Sequence, residues 1–421
     1  MRLLELPHHP HRRRLRGHGY FKRLGPGIVT GAADDDPSGI GTYSQVGAAF
    51  GFGLLWTTLA TLPLAIAVQE ATARLGLVTG KGLAGLLRER FARPVLLGAV
   101  VVVAVANTFN IGADIGSMAA AAGLLVPVPF PVATIAFALA MVVLEVAVPY
   151  HRYARVLRWL TLSLLGYVGV LAVVHVDWAD ALAHTLVPHL RLGRAGLAAL
   201  LAVFGTTISP YLFFWQAGEE IEEQAERHDP VDRDHLAAMR LDVAAGMGSG
   251  VGVMFAIMTT AAVTLGAHGA AQVSTAEQAA QALRPLAGEL AGLLFAAGIV
   301  GTGLLAVPVL AGSTAYAVAE TLGWREGLGR RVSQARAFYA VIAISILVGV
   351  AMNFVGVGPI RALYLAAILN GVAAPPLLLL ILLLARSKAV VGQHRSGLLS
   401  QLLVGGAAVV MAVLSLLVVL R

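Results

Sequence analysis

The chain has 421 residues, of which 58% are hydrophobic and only 13% charged, with a formal net charge of +7. Soluble domains carry about 25% charged residues, whereas here apolar runs of spanning length recur from residue 24 to residue 420. That excludes a soluble enzyme, a nucleic-acid-binding domain, a disordered chain and an outer-membrane barrel, whose strands would alternate in short segments. The chain reads as an all-α polytopic membrane protein of the inner or plasma membrane, with the lipid bilayer as its solvent.

Residues 1–23 form a basic tail carrying seven Lys and Arg, read as cytoplasmic. No small-residue cleavage site follows a short apolar core, so no signal peptide is expected. His8, His9 and His11 fit a solvated tail better than a metal site. Eleven apolar segments follow, at about 24–52, 53–76, 94–124, 131–148, 156–175, 196–217, 239–266, 286–318, 337–356, 360–385 and 398–420, with ends good to about two to four residues. With the N-terminus inside, 25 of the 30 basic residues fall on the inner side. This satisfies the positive-inside rule for eleven spans with the C-terminus outside. Cysteine is absent, so no disulfide framework and no thiolate site can form.

The first segment is interrupted by Asp34-Asp35-Asp36-Pro37-Ser38-Gly39. Three carboxylates inside a span are expensive in lipid, and Pro37 both removes a backbone donor and disfavours helix at Asp36. The helix should unwind here and free carbonyls for a cation, which is tolerated only beside protein or a water-filled cavity. The competing reading is a loop between two short segments, with Asp36 capping the second.

In segment two, Glu70 and Arg74 are spaced for an i,i+4 ion pair, with a gate as the alternative. Segment three carries Asn110 and Asp114. Glu145, near the inner end of segment four, is expected to pair with Arg152 or Arg155.

The sixth segment breaks at Gly205-Thr206-Thr207-Ile208-Ser209-Pro210-Tyr211. Alone, this would be a proline kink with hydroxyls bonding back to freed carbonyls. Yet Pro37 and Pro210 lie five segments apart, an odd number, so the second set of five enters from the opposite side. Interrupted spans in corresponding positions mark a transport site between inverted repeats. The repeats are then residues 24–175 and 196–385, with 398–420 as an additional eleventh helix. The eight acids of 219–234 read as a solvated cytoplasmic loop, and the glycines of 246–252 as close helix packing. Asn370, in segment ten, is either a polar ligand or an interhelical hydrogen-bond partner.

These stretches resemble the Nramp (natural resistance-associated macrophage protein) family of divalent-metal transporters over about residues 24–385. The family's Asp-Pro-Gly-Asn is matched by Asp36-Pro37-Ser38-Gly39 and its Met-Pro-His by Ser209-Pro210-Tyr211. Gln69 with Ala73-Arg74-Leu75-Gly76-Leu77-Val78-Thr79-Gly80, Gly301-Thr302-Gly303 and Ala311-Gly312-Ser313 are also similar. The resemblance implies a LeuT-like fold with helices one and six discontinuous. The family's metal site uses an Asp, an Asn and a Met; here Asp36 remains, Gly39 stands for the Asn and Ser209 for the Met. Losing the thioether and enlarging the cavity would suit a partly hydrated Mg²⁺, as in the divergent magnesium branch, with Mn²⁺ as the alternative ion.

The expected metal set is Asp36, Asp35, Asp34, Gly39, Thr206, Thr207, Ser209, Tyr211 and Asn370, with the ion as cargo and no resident cofactor. Tyr211 replaces the family's His, Asn110 stands where the Asp of its helix three would align, and Asp114 remains about one position from where its Glu would lie, so weak or absent proton coupling is expected. Two charges crossing 100 mV already release roughly 4.6 kcal/mol. The alternatives are a proton-coupled Mn²⁺/Fe²⁺ symporter and an organic-solute transporter on the same scaffold. No GxxxxGK[ST] stretch appears, so neither a nucleotide nor a nucleic acid is expected as partner, and the chain is expected to be a monomer and not an enzyme.

Overall fold

The computed structural model describes residues 26–148, 162–189, 193–227, 231–268 and 273–420. The basic tail, Arg152 and Arg155 lie outside the described residues, as does Asp229. The described residues form helices and turns with no strand.

The first broken span is α1 (Pro26–Asp34) and α2 (Pro37–Phe50), followed by α3 (Trp56–Thr79). A short amphipathic helix, α4 (Leu83–Arg90), leads to α5 (Arg93–Gly123) and α6 (Phe130–Ala147). α7 (Leu165–Val173) is the described end of the fifth span, and α8 (Trp178–Leu186) lies in the connection after it. The second broken span is α9 (Arg194–Thr207) and α10 (Pro210–Arg227). Then come α11 (Arg233–Thr264), α12 (Ala291–Leu322), α13 (Arg336–Ala351), α14 (Pro359–Arg386) and α15 (Leu398–Leu420).

Eight of these spans are individually long and apolar enough to cross a bilayer. α2 and α3 pass the same test together, bent by 109° at the short break between them, which gives up to nine candidate spans among the described residues. The short α1, ahead of the first break, and α7, beside residues 149–161 that lie outside the described ones, are where the eleven segments of the sequence reading go beyond that number.

Both breaks follow from local chemistry. Asp36 sits in extended backbone (ψ 171°) and its side chain accepts the Gly39 N–H at 2.7 Å. Pro37 occupies the first helical position, where no N–H is needed. Asp36 therefore is the helix cap of the competing sequence reading, and it caps within one broken span. In the second break Ile208 leaves helical geometry (φ −117°, ψ 62°) and Pro210 restarts the helix.

The half-helices pair crosswise: α1 packs on α10 and α2 on α9. Each leading half thus lies beside the other span's trailing half, as an inverted repeat requires. Glycines set how close the backbones come. A Cβ built on Gly31 would lie 2.3 Å from the Gly246 backbone, and one on Gly205 would lie 2.1 Å from the Ala367 carbonyl. Within the run 246–252, Gly246 and Gly250 make the close packing that the composition suggested, whereas Gly248 and Gly252 face open space.

The acidic stretch after the second break is not a solvated loop. Glu219, Glu220, Glu222, Glu223 and Glu226 continue α10, Asp234 lies in the first turn of α11, and among the described residues Asp232 alone stands in a connection, capping α11 through the His235 N–H. Glu219 and Glu220 are buried. Glu222 accepts the N–H groups of Leu328 (2.9 Å) and Gly329 (3.1 Å) and the hydroxyl of Tyr316. Glu222 thus fastens α10 to the connection after α12. Sequence reading missed this because charge density outweighed helical continuity.

Glu70 and Arg74 form the expected ion pair, buried in α3. Arg240 of α11 (3.1 Å) and Ser400 of α15 (3.4 Å) join Glu70, while Arg74 also donates to the His394 carbonyl at 2.9 Å. The network ties α3, α11 and α15 together.

Two outcomes follow. Gly31→Ala should destabilise by about 1–3 kcal/mol through overpacking against Gly246, read as a lower melting temperature in detergent. Glu326, in the connection after α12, is pushed from its ordinary 4.5 up to about 7 by burial, with Glu222 adding to the rise and Arg88 and Arg330 opposing it. The folded chain holds this proton more tightly than the unfolded one, so stability is lost as pH rises between those two values. Glu326→Gln should remove that loss, giving a flatter melting temperature between pH 5 and pH 7.5 than the parent shows.

Candidate metal site

Four carboxylates meet at the breaks. Asp34 ends α1, Asp35 and Asp36 lie in the interruption, and Asp114 comes from α5. All four are buried. Asp36 and Asp114 interact electrostatically across the break, and the Ser38 N–H at the start of α2 turns toward both. Neither Asp114 oxygen, nor Oδ1 of Asp34 or Asp35, has a partner at hydrogen-bonding geometry. Asp34 and Asp35 face Gly250 of α11, where a built Cβ would lie 3.4 and 3.7 Å from their Oδ2 atoms.

Around this acidic core the expected residues are placed as follows. Tyr211, in the first turn of α10, donates to the Ala33 carbonyl at 2.8 Å, and its hydroxyl lies 3.4 Å from Asp36 Oδ2. Thr207 ends α9; its hydroxyl donates to Val203 O (2.9 Å) and meets the Tyr43 hydroxyl at 3.0 Å. Ser209 donates back to the carbonyls of Gly205 and Thr206, both at 2.8 Å. This back-bonding is what a proline-interrupted helix produces. It commits the hydroxyl protons and leaves oxygen lone pairs available. Thr206 is buried beside Thr207.

Asn370 does not reach into this group through any hydrogen bond to it. It pairs with Asn110 of α5 by two amide bonds of 2.8 and 3.3 Å. Of the two sequence readings for Asn370, the interhelical bond is the one formed.

The expected enlargement of the cavity at Gly39 is not observed. A Cβ built on Gly39 would sit 3.2 Å from the Asp34 carbonyl and 3.3 Å from the Tyr43 ring. Tyr43 fills the room left by the missing side chain. It is four residues beyond Gly39 on α2, so the shared face was legible in the spacing. A thioether also approaches the second break from another helix: Met254 Sδ of α11 lies 3.8 Å from Thr207 Oγ1.

Sequence reading placed neither Tyr43 nor Asp114 in the metal set. Asp114 was visible as a lone acid in an apolar run, but its meeting with Asp36 requires the packing of α5 against α2. Ser313, in the motif Ala311-Gly312-Ser313, donates to the Tyr211 carbonyl at 2.8 Å and so holds the start of α10 to α12. Among the described residues, no group of three or more His, Cys, Asp or Glu side chains converges tightly enough to hold a metal by itself. The arrangement can bind a cation through a few carboxylate, carbonyl and hydroxyl oxygens, with water filling the shell.

Residues 27–421 match the family model described as natural resistance-associated macrophage protein-like, Nramp. A curated relative, the divalent metal cation transporter MntH of Burkholderia ambifaria, is 31% identical over 67% of this chain and 64% of its own length. Its counterpart from Granulibacter bethesdensis is 23% identical, over 94% of this chain and 88% of its own. Among solved structures, the manganese transporter of Eremococcus coleocola superposes with TM-score 0.74 at 19% identity, over 95% of this chain and 87% of that one. The inward-facing transporter Mhp1 does so with TM-score 0.54 at 15% identity, over 94% and 90%. At these identities the structural likenesses establish the fold.

The amide pair gives a direct test. Asn110→Leu should strand the Asn370 amide in the interior and cost about 1–3 kcal/mol. Adding Asn370→Leu should recover part of that loss, measured as melting temperatures of the two single variants and the double variant.

Proposed function

The chain belongs to the Nramp family, and from that premise we propose that it carries a divalent metal cation across the membrane by alternating access. Three buried carboxylates stand at the first helix break with a fourth, Asp114 of α5, beside them, and among the described residues no Lys, Arg or His lies within ion-pair reach of them. This observation carries the proposal. A buried carboxylate without a counter-charge is strongly disfavoured, so the site calls for cations from outside the chain.

Mg²⁺ is the leading ion and Mn²⁺ the second. The oxygen donors supplied by Asp36, Asp114, Thr207, Ser209 and the carbonyls at both breaks suit a hard ion. Their loose convergence suits one that keeps several waters, as Mg²⁺ does. Asp36 carries the direct charge, and Asp34 and Asp35 act through the field or through water. Thr206, Gly39 and Tyr211 frame the shell. The membrane potential is enough to drive entry, and Tyr211 offers no group that titrates near neutrality, so transport proceeds without coupled protons.

A second reading is a proton-coupled Mn²⁺ or Fe²⁺ symporter. Two observations favour it: Met254 brings a thioether near Thr207, and Asp114 places an acidic group able to exchange a proton beside Asp36. An organic anion as substrate is disfavoured by the same carboxylates that would attract a cation.

Flux into dye-loaded proteoliposomes, with Mg²⁺, Mn²⁺ and Ca²⁺ at two pH values, separates these readings. Mg²⁺ should enter without acidifying the lumen, and Asp36→Ala should reduce entry at least tenfold. Asp114→Asn should lower the apparent affinity without changing the pH dependence. Normal flux in Asp36→Ala would remove Asp36 from the site, and proton-linked flux of Mn²⁺ alone would establish the second reading.

A further inference from the structure

The two broken helices are joined at their breaks by two tyrosine hydroxyls, one on each pair of facing half-helices. Tyr211, on α10, donates to the carbonyl of Ala33, in the last turn of α1. α1 packs on α10, and the positive-inside topology puts both on the membrane side that holds the N-terminus. Tyr43, on α2, meets the hydroxyl of Thr207, the last residue of α9. α2 and α9 are the two half-helices on the opposite side. The Thr207 proton is committed to the Val203 carbonyl, so Tyr43 is the donor.

Each hydroxyl therefore engages a helix end that the break has left open. The Ala33 carbonyl belongs to the last turn of α1, where carbonyls have no intrahelical partner. Both tyrosines are fully buried, and each is held from behind. The Tyr43 ring fills the space beside Gly39, and Ser313 on α12 grips the Tyr211 carbonyl. Ser38, at the start of α2, in turn donates to Leu363 O of α14 at 3.3 Å. The remaining spans thus fix where the tyrosines stand, and each hydroxyl reaches across to the other broken helix.

We infer that Tyr43 and Tyr211 are a pair of positioning residues that close the ion site from opposite sides. The Tyr211–Ala33 bond seals the N-terminal side and the Tyr43–Thr207 bond seals the other. With both bonds formed, the site is occluded. Opening toward either side requires breaking one of them, and the other, while made, keeps the opposite side closed. The inference rests on the alternating-access part of the proposed function and not on the identity of the ion.

The absence of cysteine from the sequence makes a direct test available. Ser209→Cys places a single thiol between the breaks, and a membrane-impermeant thiosulfonate is applied to right-side-out or inside-out vesicles without any metal. In this background Tyr43→Phe should speed modification about 2- to 10-fold, the range expected for one lost hydrogen bond, from the side opposite the N-terminus only. Tyr211→Phe should do so from the N-terminal side only. Thr207→Val should reproduce Tyr43→Phe, and combining the two should add nothing further. Equal effects from both sides, or no effect of either tyrosine variant, would overturn the inference.

A second measurement avoids the introduced thiol. Amide hydrogen exchange on the cysteine-free chain should rise in residues 37–50 and 194–207 for Tyr43→Phe, and in 26–34 and 210–227 for Tyr211→Phe. Uniform change across all four half-helices would count against the pair. Neither readout involves metal flux, so a failure here leaves the transport tests intact, and a failure of those tests leaves this one readable.

Discussion

A helix interrupted inside a bilayer must satisfy its exposed backbone groups with protein, because lipid offers none. That constraint organises the molecule. Each proline-restarted break leaves polar ends in the interior, and each is closed by groups from the other break or from the spans behind it. Asp36 caps α2, Tyr211 covers the end of α1, and Ser209 turns its hydroxyl back onto α9. The two interruptions are mutual solutions to one problem, which is why they face each other. The same oxygens that settle the backbone also make a polar niche at depth, and four carboxylates there bias it toward cations.

The stiff parts serve this niche from a distance. The Glu70–Arg74 pair, with Arg240, Ser400 and the His394 carbonyl, ties α3, α11 and α15 together. Glu222 fastens the far end of α10 to the connection after α12. α1 meets Gly246 backbone to backbone at Gly31, while the Asp242 side chain of α11 accepts the Gly27 N–H at 2.7 Å and Thr30 hydrogen-bonds Gln216 of α10. Carboxylates thus hold the ends of α1 and α10 that lie away from the breaks, and beside the breaks neutral hydroxyls and close packing take over.

The fold was largely legible in the sequence, because its strongest signals are local. Pro37 and Pro210, with their polar neighbours, marked both breaks, and their separation by five spans implied the inverted repeat. Glu70 and Arg74 were readable as an i,i+4 pair. The site was less legible because its geometry depends on contacts between distant segments. Asp114 meets Asp36 only through helix packing, and Asn370 finds Asn110 rather than the ion region. The glutamates after residue 218 were misread because a dense run of charge looks like loop. Burial of Glu219 and Glu220 depends on neighbours that no local window contains. Gly39 looked like a vacancy until Tyr43, one helical turn on, was seen to fill it.

The cap on α2 also fixes how the Asp36 side chain is aimed. One oxygen accepts the Gly39 N–H at 2.7 Å and the other lies 3.4 Å from the Tyr211 hydroxyl, so the carboxylate is spanned between the two broken helices. Turning it away from the break would give up the cap, worth about 1 kcal/mol, and would loosen the start of α2. The orientation of one carboxylate is therefore written into the way the second half of the first broken helix begins.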